Sequence, residues 1–216
     1  MSAVVPLSSP EGSLPVIEES LSSKRALAFA ERFAPTMVSV LLIGETGTGK
    51  EVFAARIHAA SGRSGDFVDV NCAALPAEMV ESLLFGHRRG AFTGAMEHAV
   101  GLIEQAEGGT LFLDELTSLP VHAQARLLRV LESRCVRRLG DRRHHHVDFR
   151  VVAAALPELT GCVASGCVRR DLFQRIAGVV IELEPLARRK LAAPVSKGIR
   201  VFVNLRASRR SLGALR

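Results

Sequence analysis

Gly44-Glu45-Thr46-Gly47-Thr48-Gly49-Lys50 follows the apolar run Val38-Ser39-Val40-Leu41-Leu42-Ile43 and precedes Glu51-Val52-Phe53-Ala54-Ala55-Arg56-Ile57-His58. The first flank reads as a strand and the second as a helix, with apolar residues at helical spacing. A glycine-rich turn between strand and helix is the setting of a phosphate-binding loop. Its glycines let successive backbone N–H groups turn inward, and the helix N-terminus adds the positive end of its dipole. Lys50 then reaches the outer phosphates as a point charge. Position 51 is Glu, where most such loops carry the Ser or Thr hydroxyl that touches magnesium. The nearby hydroxyls are those of Thr46 and Thr48, so metal binding leans on other groups.

Those groups are found at Gly108-Gly109-Thr110-Leu111-Phe112-Leu113-Asp114-Glu115. The apolar run fits a central parallel strand covered on both faces. Acids at its C-terminal end face the ligand crevice of an open α/β sheet. Asp114 is placed to hold magnesium, usually through water, and Glu115 to orient or activate an attacking water. Further strands are expected at 67–71, 149–155 and 178–183, and further helices at 23–33, 76–85, 121–133 and 169–176. Strands alternating with helices predict an α/β fold, a parallel sheet with helices on both faces. From the residues alone this is a nucleoside-triphosphate-binding domain.

The remaining segments bound the reading. In 216 residues, 48% hydrophobic and 23% charged, there is room for one large core. No apolar run reaches the ~18 residues of a membrane span, and the first fifteen residues carry no Lys or Arg, against a secretory signal. Cys72, Cys135, Cys162 and Cys167 show no paired metal-ligand spacing and read as free thiols of a cytoplasmic protein. The net charge of +6 and the pI near 9.8 suggest nucleic acid, yet nine Lys/Arg and no acid fall in residues 187–216. Residues 1–23, rich in Ser and Pro, read as a flexible leader. A short hairpin is expected over 135–147, with His144-His145-His146 as an exposed turn, because adjacent strand residues point to opposite faces. Gly86-His87-Arg88-Arg89-Gly90-Ala91-Phe92-Thr93-Gly94-Ala95 places an aromatic between glycine hinges. Composition leaves a functional loop and a small packing contact equally open.

Five stretches carry a specific resemblance: 44–51, Val-Asn-Cys-Ala-Ala-Leu-Pro (70–76), Glu-Ser-Leu-Leu-Phe-Gly-His (81–87), Gly-Ala-Phe-Thr-Gly-Ala (90–95) and 108–115. In this order they resemble the AAA+ ATPase domain of sigma-54-dependent transcription activators, the bacterial enhancer-binding proteins. Val168-Arg169-Arg170-Asp171-Leu172-Phe173-Gln174-Arg175 is similar to that family's arginine-finger stretch. The resemblance implies a P-loop NTPase binding ATP and Mg2+ through Gly44, Glu45, Thr46, Gly47, Thr48, Gly49, Lys50 and Glu51. It implies that Asp114 handles magnesium, that Glu115 positions water, and that Asn71 restrains Glu115. It further implies that Arg169 and Arg175 reach a neighbouring subunit's nucleotide, within a hexameric ring, and that Gly90, Ala91, Phe92, Thr93, Gly94 and Ala95 touch sigma-54 and so act on its RNA polymerase holoenzyme.

The chain departs from the family pattern in three places. The family's sensor position, an Asn preceded by Thr, falls here in Ala153-Ala154-Ala155-Leu156. After Leu186 the family continues into a helical lid; here a basic stretch follows. Neither a receiver or sensory domain nor a DNA-binding helix-turn-helix is read. The expected organisation is a leader (1–23), an ATPase core (24–186) lacking the lid, and a divergent, disordered basic tail (187–216). Such a chain is expected to be monomeric or weakly associated, with slow turnover. A non-catalytic regulator that binds nucleotide or homologous subunits is the alternative, and the tail as a nucleic-acid-binding arm is a third reading.

Overall fold

The structure, a computed structural model, describes residues 21–183 and 201–203. In chain order the elements are α1 (Leu21–Phe33), β1 (Val40–Ile43), α2 (Lys50–Ala59), β2 (Phe67–Asn71), α3 (Val80–Phe85), α4 (Leu102–Gln105) and β3 (Thr110–Asp114). There follow α5 (Val121–Ser133), the short strands β4 (Cys135–Val136) and β5 (His145–His146), β6 (Arg150–Ala155), α6 (Leu159–Ser165), α7 (Arg170–Ile176), β7 (Val179–Glu182) and β8 (Val201–Val203). Single turns of 3-10 helix follow β2 at Cys72–Ala74 and β3 at Leu116–Ser118.

The sheet order is β2-β3-β6-β1-β7-β8. The first five strands run parallel, with Leu41 beside Ala153 and Val180, and Val70 beside Leu113. β8 closes the edge antiparallel to β7. Side chains alternate across this sheet, so each strand feeds two cores. Leu41, Leu111, Leu113, Val151, Ala153 and Val180 share one core with α3, α4, α5 and α7. Val40, Leu42, Phe112, Val152 and Ile181 point the other way, onto Ala26 and Ala30 of α1 and Phe53, Ala54 and Ile57 of α2. Phe53 and Ile57 are fully buried. Each stabilises the α2 packing by about 1.5–3 kcal/mol, and the turn before α2 is thereby clamped against β1.

Arg150, the first residue of β6, is also fully buried. Its guanidinium donates to the carbonyls of Ala34 (2.5 Å) and Phe33 (3.0 Å), capping the C-terminal end of α1. Burial draws its pKa down to about 10, so it stays charged near neutrality.

The P-loop NTPase-type α/β sheet expected from the sequence is the one observed, with differences at its margins. α1 starts at Leu21, inside the stretch read as leader. The helix expected from Pro76 begins only at Val80, because turns occupy the residues before it. The short helices α4 and α6 were not anticipated, nor was β8 within the basic stretch. The rest of the expected leader and tail lies outside the described residues. No helix among the described residues is long and apolar enough to cross a membrane.

Candidate functional site

β1 delivers the chain into the 44–50 loop, and α2 carries it away. Gly44 N–H donates to the Ala155 carbonyl of β6 (3.1 Å), which ties the start of the loop to the sheet. A Cβ at Gly44 would meet Thr48 Oγ1 at 2.8 Å and the Leu183 carbonyl at 3.1 Å. Gly47 and Gly49 hold φ of 76° and 80°, backbone open chiefly to glycine. Gly49 caps α2 without a side chain. The first N–H groups of a helix have no intrahelical acceptor, so the turn ahead of α2 is a concave set of donors. Thr48 is buried, and its hydroxyl donates to the Glu45 carbonyl at 2.8 Å. Lys50 Nζ curls over the loop and donates to the carbonyls of Gly44 (2.9 Å) and Glu45 (3.0 Å). Thr48 braces the loop from within, and the ammonium stands at its mouth.

The acids stand two strands away, across β6. Asp114 ends β3, and its Oδ1 accepts the Glu115 N–H at 2.9 Å. Glu115 is exposed and left-handed, with φ 50° and ψ 48°. A non-glycine residue there carries backbone strain of order 1–3 kcal/mol. Asn71 ends β2 in register with Asp114. Its Oδ1 accepts from the N–H groups of Ala73 (2.9 Å) and Ala74 (3.3 Å), capping the 3-10 turn. Among the described residues no hydrogen bond joins Asn71 to Glu115, so the Asn71 amide NH2 is the group left for a partner.

Sequence reading missed two residues beside this edge. Burial first, then the charges of Glu51 and Asp114, pushes the Asp69 carboxyl up to about 6. Buried Cys72 is pushed up to about 12 by burial and then by Asp114, Glu115 and Asp69. Glu51, Asp69 and Asp114 therefore share one field of negative charge next to the loop. Carboxylate oxygens suit a hard divalent cation such as Mg2+, and Asp114, at the end of β3, is the acid that could hold one. Asp69 sits between the buried Val68 and Val70, on the opposite face of β2, and gave no sequence signal beyond being an acid in a strand.

The 86–95 segment forms a folded loop braced by the β4–β5 hairpin. Gly90 N–H donates to Ala95 (2.8 Å), Ala95 N–H to Phe92 (3.0 Å) and Arg88 N–H to Leu139 (2.9 Å). Phe92 is 43% exposed, with its ring against His87 at 5.1 Å between centroids. The ring thus makes the small packing contact that composition allowed, while part of it faces solvent. His87 in turn pairs through Nδ1 with Ser82 Oγ at 2.7 Å. Glu104 of α4 anchors the hairpin through a bidentate pair with Arg138, at 2.8 and 2.6 Å. Met96, beside the loop, is 77% exposed. The three histidines lie on this hairpin: His144 and His146 are exposed, and His145 is 3.6 Å from Asp141. Among the described residues no cluster of metal ligands forms.

Arg169 and Arg175 stand at the two ends of α7. Arg169 caps the helix and pairs bidentately with Asp171, at 3.0 and 2.6 Å. Arg175 donates to the Leu131 carbonyl at 2.9 Å and lines a small cleft with Met37, Ser39 and Arg134, below the N-terminal edge of the sheet. Leu156 leaves β6 beside Gly44 and is 38% exposed, with no polar atom on its side chain.

A glycine loop with its lysine at the end of a central parallel strand, and acids at the end of a neighbouring one, defines a P-loop NTPase fold. The P-loop NTPase domain of a sigma-54 transport activator from E. coli shares it, with TM-score 0.51 at 22% identity over 76% of this chain and 94% of that one. The chain belongs to the sigma-54 interaction domain family, whose model matches residues 16–182. It is 48% identical over 172 residues to the sigma-54-dependent transcriptional activator SfnR of Pseudomonas putida, covering 79% of this chain and 47% of that protein. The transcriptional activator RocR of Bacillus subtilis is 46% identical over 180 residues, covering 83% and 38%. The chain spans less than half the length of these relatives. NtrX from Brucella abortus, solved in complex with ADP, superposes with TM-score 0.74 at 36% identity, over 82% of this chain and 38% of that one. Its complex with ATP gives 0.73 at 37%, over 81% and 40%.

Proposed function

We propose that this domain binds ATP with magnesium at the 44–51 loop and uses binding and hydrolysis to act on sigma-54 and its RNA polymerase holoenzyme, in the cytoplasm. The carrying observation is the Lys50 ammonium held at the loop mouth by two backbone carbonyls. Those carbonyls are weak partners for a full charge, and phosphate oxygens are stronger ones. Lys50 therefore exchanges them for the outer phosphates, while the loop N–H groups take the remaining oxygens. Bound magnesium would neutralise phosphate charge between Asp114 and the nucleotide. Glu115 accepts the proton of the attacking water from its exposed, left-handed position. Asn71 restrains Glu115 through its amide NH2. Arg169 and Arg175 act in trans, in a ring of identical subunits, by stabilising charge on the transferring phosphoryl group. Residues Gly90 to Ala95 contact sigma-54, with Phe92 and Thr93 at the tip.

A second reading is favoured by Leu156. An exposed leucine beside the loop has no group with which to hold a γ-phosphate or water. On this reading the domain binds ATP and homologous subunits but turns over slowly. An ATP–magnesium titration combined with phosphate release separates the two. Binding with release stimulated by rising protein concentration supports the first reading, and binding with background release supports the second. No binding at millimolar ATP refutes both.

A further inference from the structure

We propose that Gln124 is a positioning residue that couples two parts of the machinery. It fixes the turn behind Glu115, which serves the chain's own nucleotide, to the start of α7, whose Arg169 serves a neighbour's. The inference rests on the nucleotide reading above and adds the side chain that makes those two groups move together.

Gln124 stands in the first turn of α5. With Leu127, Leu128 and Leu131 it makes up the buried face of that helix, at a spacing where an apolar residue is expected. It is instead an amide, and it is fully buried. Its Nε2 donates to the carbonyls of Leu119 (2.7 Å) and Cys167 (2.8 Å), and its Oε1 accepts the Arg169 N–H at 2.9 Å. Two carbonyls and one N–H admit a single orientation of the amide, with both of its donors used. A leucine would fill a similar volume but would leave three backbone groups without this partner. Packing alone therefore does not require the amide, whereas a fixed spacing between two loops does.

Each partner leads to a group of the proposed chemistry. On one side Ser118 N–H donates to the Glu115 carbonyl (2.8 Å) and Leu119 N–H to the Leu116 carbonyl (3.1 Å). The turn thus runs unbroken from Glu115 to the Leu119 carbonyl that Gln124 holds. Glu115 keeps its left-handed backbone only while its surroundings over-determine it, and this turn is part of them. On the other side Arg169 is the N-cap of α7, with its guanidinium clamped on Asp171. The Cys167 thiol adds a weak bond to the Thr117 carbonyl at 3.6 Å, across 50 residues of sequence. A shift of the Glu115 turn as nucleotide engages is therefore passed through one amide to the backbone of Arg169. By reciprocity, a neighbour's phosphate drawing on Arg169 acts back on Glu115.

The test is hydrogen exchange of the full chain with and without a non-hydrolysable ATP analogue and magnesium, beside a titration with the same analogue. In the parent the analogue should slow exchange at both 116–119 and 168–172. Gln124→Leu should bind the analogue within about threefold of the parent and still show slowing at 116–119, but none at 168–172. Without the analogue its Arg169 N–H, deprived of an acceptor, should exchange roughly fivefold or more faster. If Gln124 only cements the fold, exchange rises at both segments while the analogue still slows 168–172; that result overturns the coupling. So does a parent in which the analogue protects 116–119 alone. Gln124→Glu keeps the shape and the acceptor for Arg169 and loses both donors, so it decides by the same criterion if the leucine variant does not fold. A parent that binds no analogue at millimolar concentration refutes the nucleotide reading itself, and this inference with it.

Discussion

Lys50→Ala separates what the lysine does for the fold from what it does for a nucleotide. In the free chain its ammonium makes two contacts with loop carbonyls, at 2.9 and 3.0 Å. Water can replace it at both, so the loss of stability should be no more than about 1 kcal/mol. Against phosphate the same ammonium makes charge-assisted bonds worth about 1.5–3 kcal/mol each. One such bond lost weakens ATP binding by about 10–150-fold. Linkage amplifies the contrast. At an ATP concentration 100 times its dissociation constant, the parent should gain about 2.7 kcal/mol of stability. A variant weakened about thirtyfold gains only about 1 kcal/mol at the same concentration. Calorimetric titration with ATP–magnesium, paired with denaturant unfolding with and without nucleotide, reads both quantities. Equal affinities, or a variant already unfolded without nucleotide, would refute this division of labour.

Asp69, held up to about 6, gives a pH test. Its unfolded value is near 4, so the folded chain binds the extra proton between those limits. Stability should therefore fall as pH rises from about 4 to about 6 and stay lower above, by about 1 kcal/mol after solvent screening. Asp69→Asn should abolish that drop in urea unfolding, and a parent-minus-variant difference flat with pH contradicts the shared acidic field. Leu156→Asn should raise phosphate release without tightening ATP, if the leucine beside Gly44 is what slows turnover; unchanged release counts against that role. Phe53→Ala empties the fully buried anchor of α2 and should cost about 3–5 kcal/mol in unfolding. A loss below about 1 kcal/mol would mean that α2 is not what clamps the loop.

The loop from Gly44 to Lys50 and the acids at 114 and 115 were legible because local chemistry demands them. Glycines at left-handed turns and an apolar strand ending in carboxylates are signals contained within a few residues. The strand order was not legible, because which strand lies beside β1 depends on non-local pairing that no local pattern encodes. Asp69 illustrates the same limit. Only the register of β2 on β3 places it near Asp114, while its neighbours read as an ordinary alternating strand. α4 and α6 are too short to show a period, and β8 hid in a stretch whose charge suggested no order. The helix at α3 was drawn too long because Pro76 reads equally well as a helix start and as a turn. The packing of Phe92 on His87 needed the hairpin from β4 to β5 in place beneath the loop.

The most direct test of the central proposal is capture of sigma-54 by this chain with ADP, magnesium and aluminium fluoride, a mimic of the transferring phosphoryl group. The account predicts a complex that forms with the mimic, fails without nucleotide, and is lost in Thr93→Ala while that variant still binds ATP. Capture that ignores nucleotide, or that survives Thr93→Ala unchanged, would contradict it.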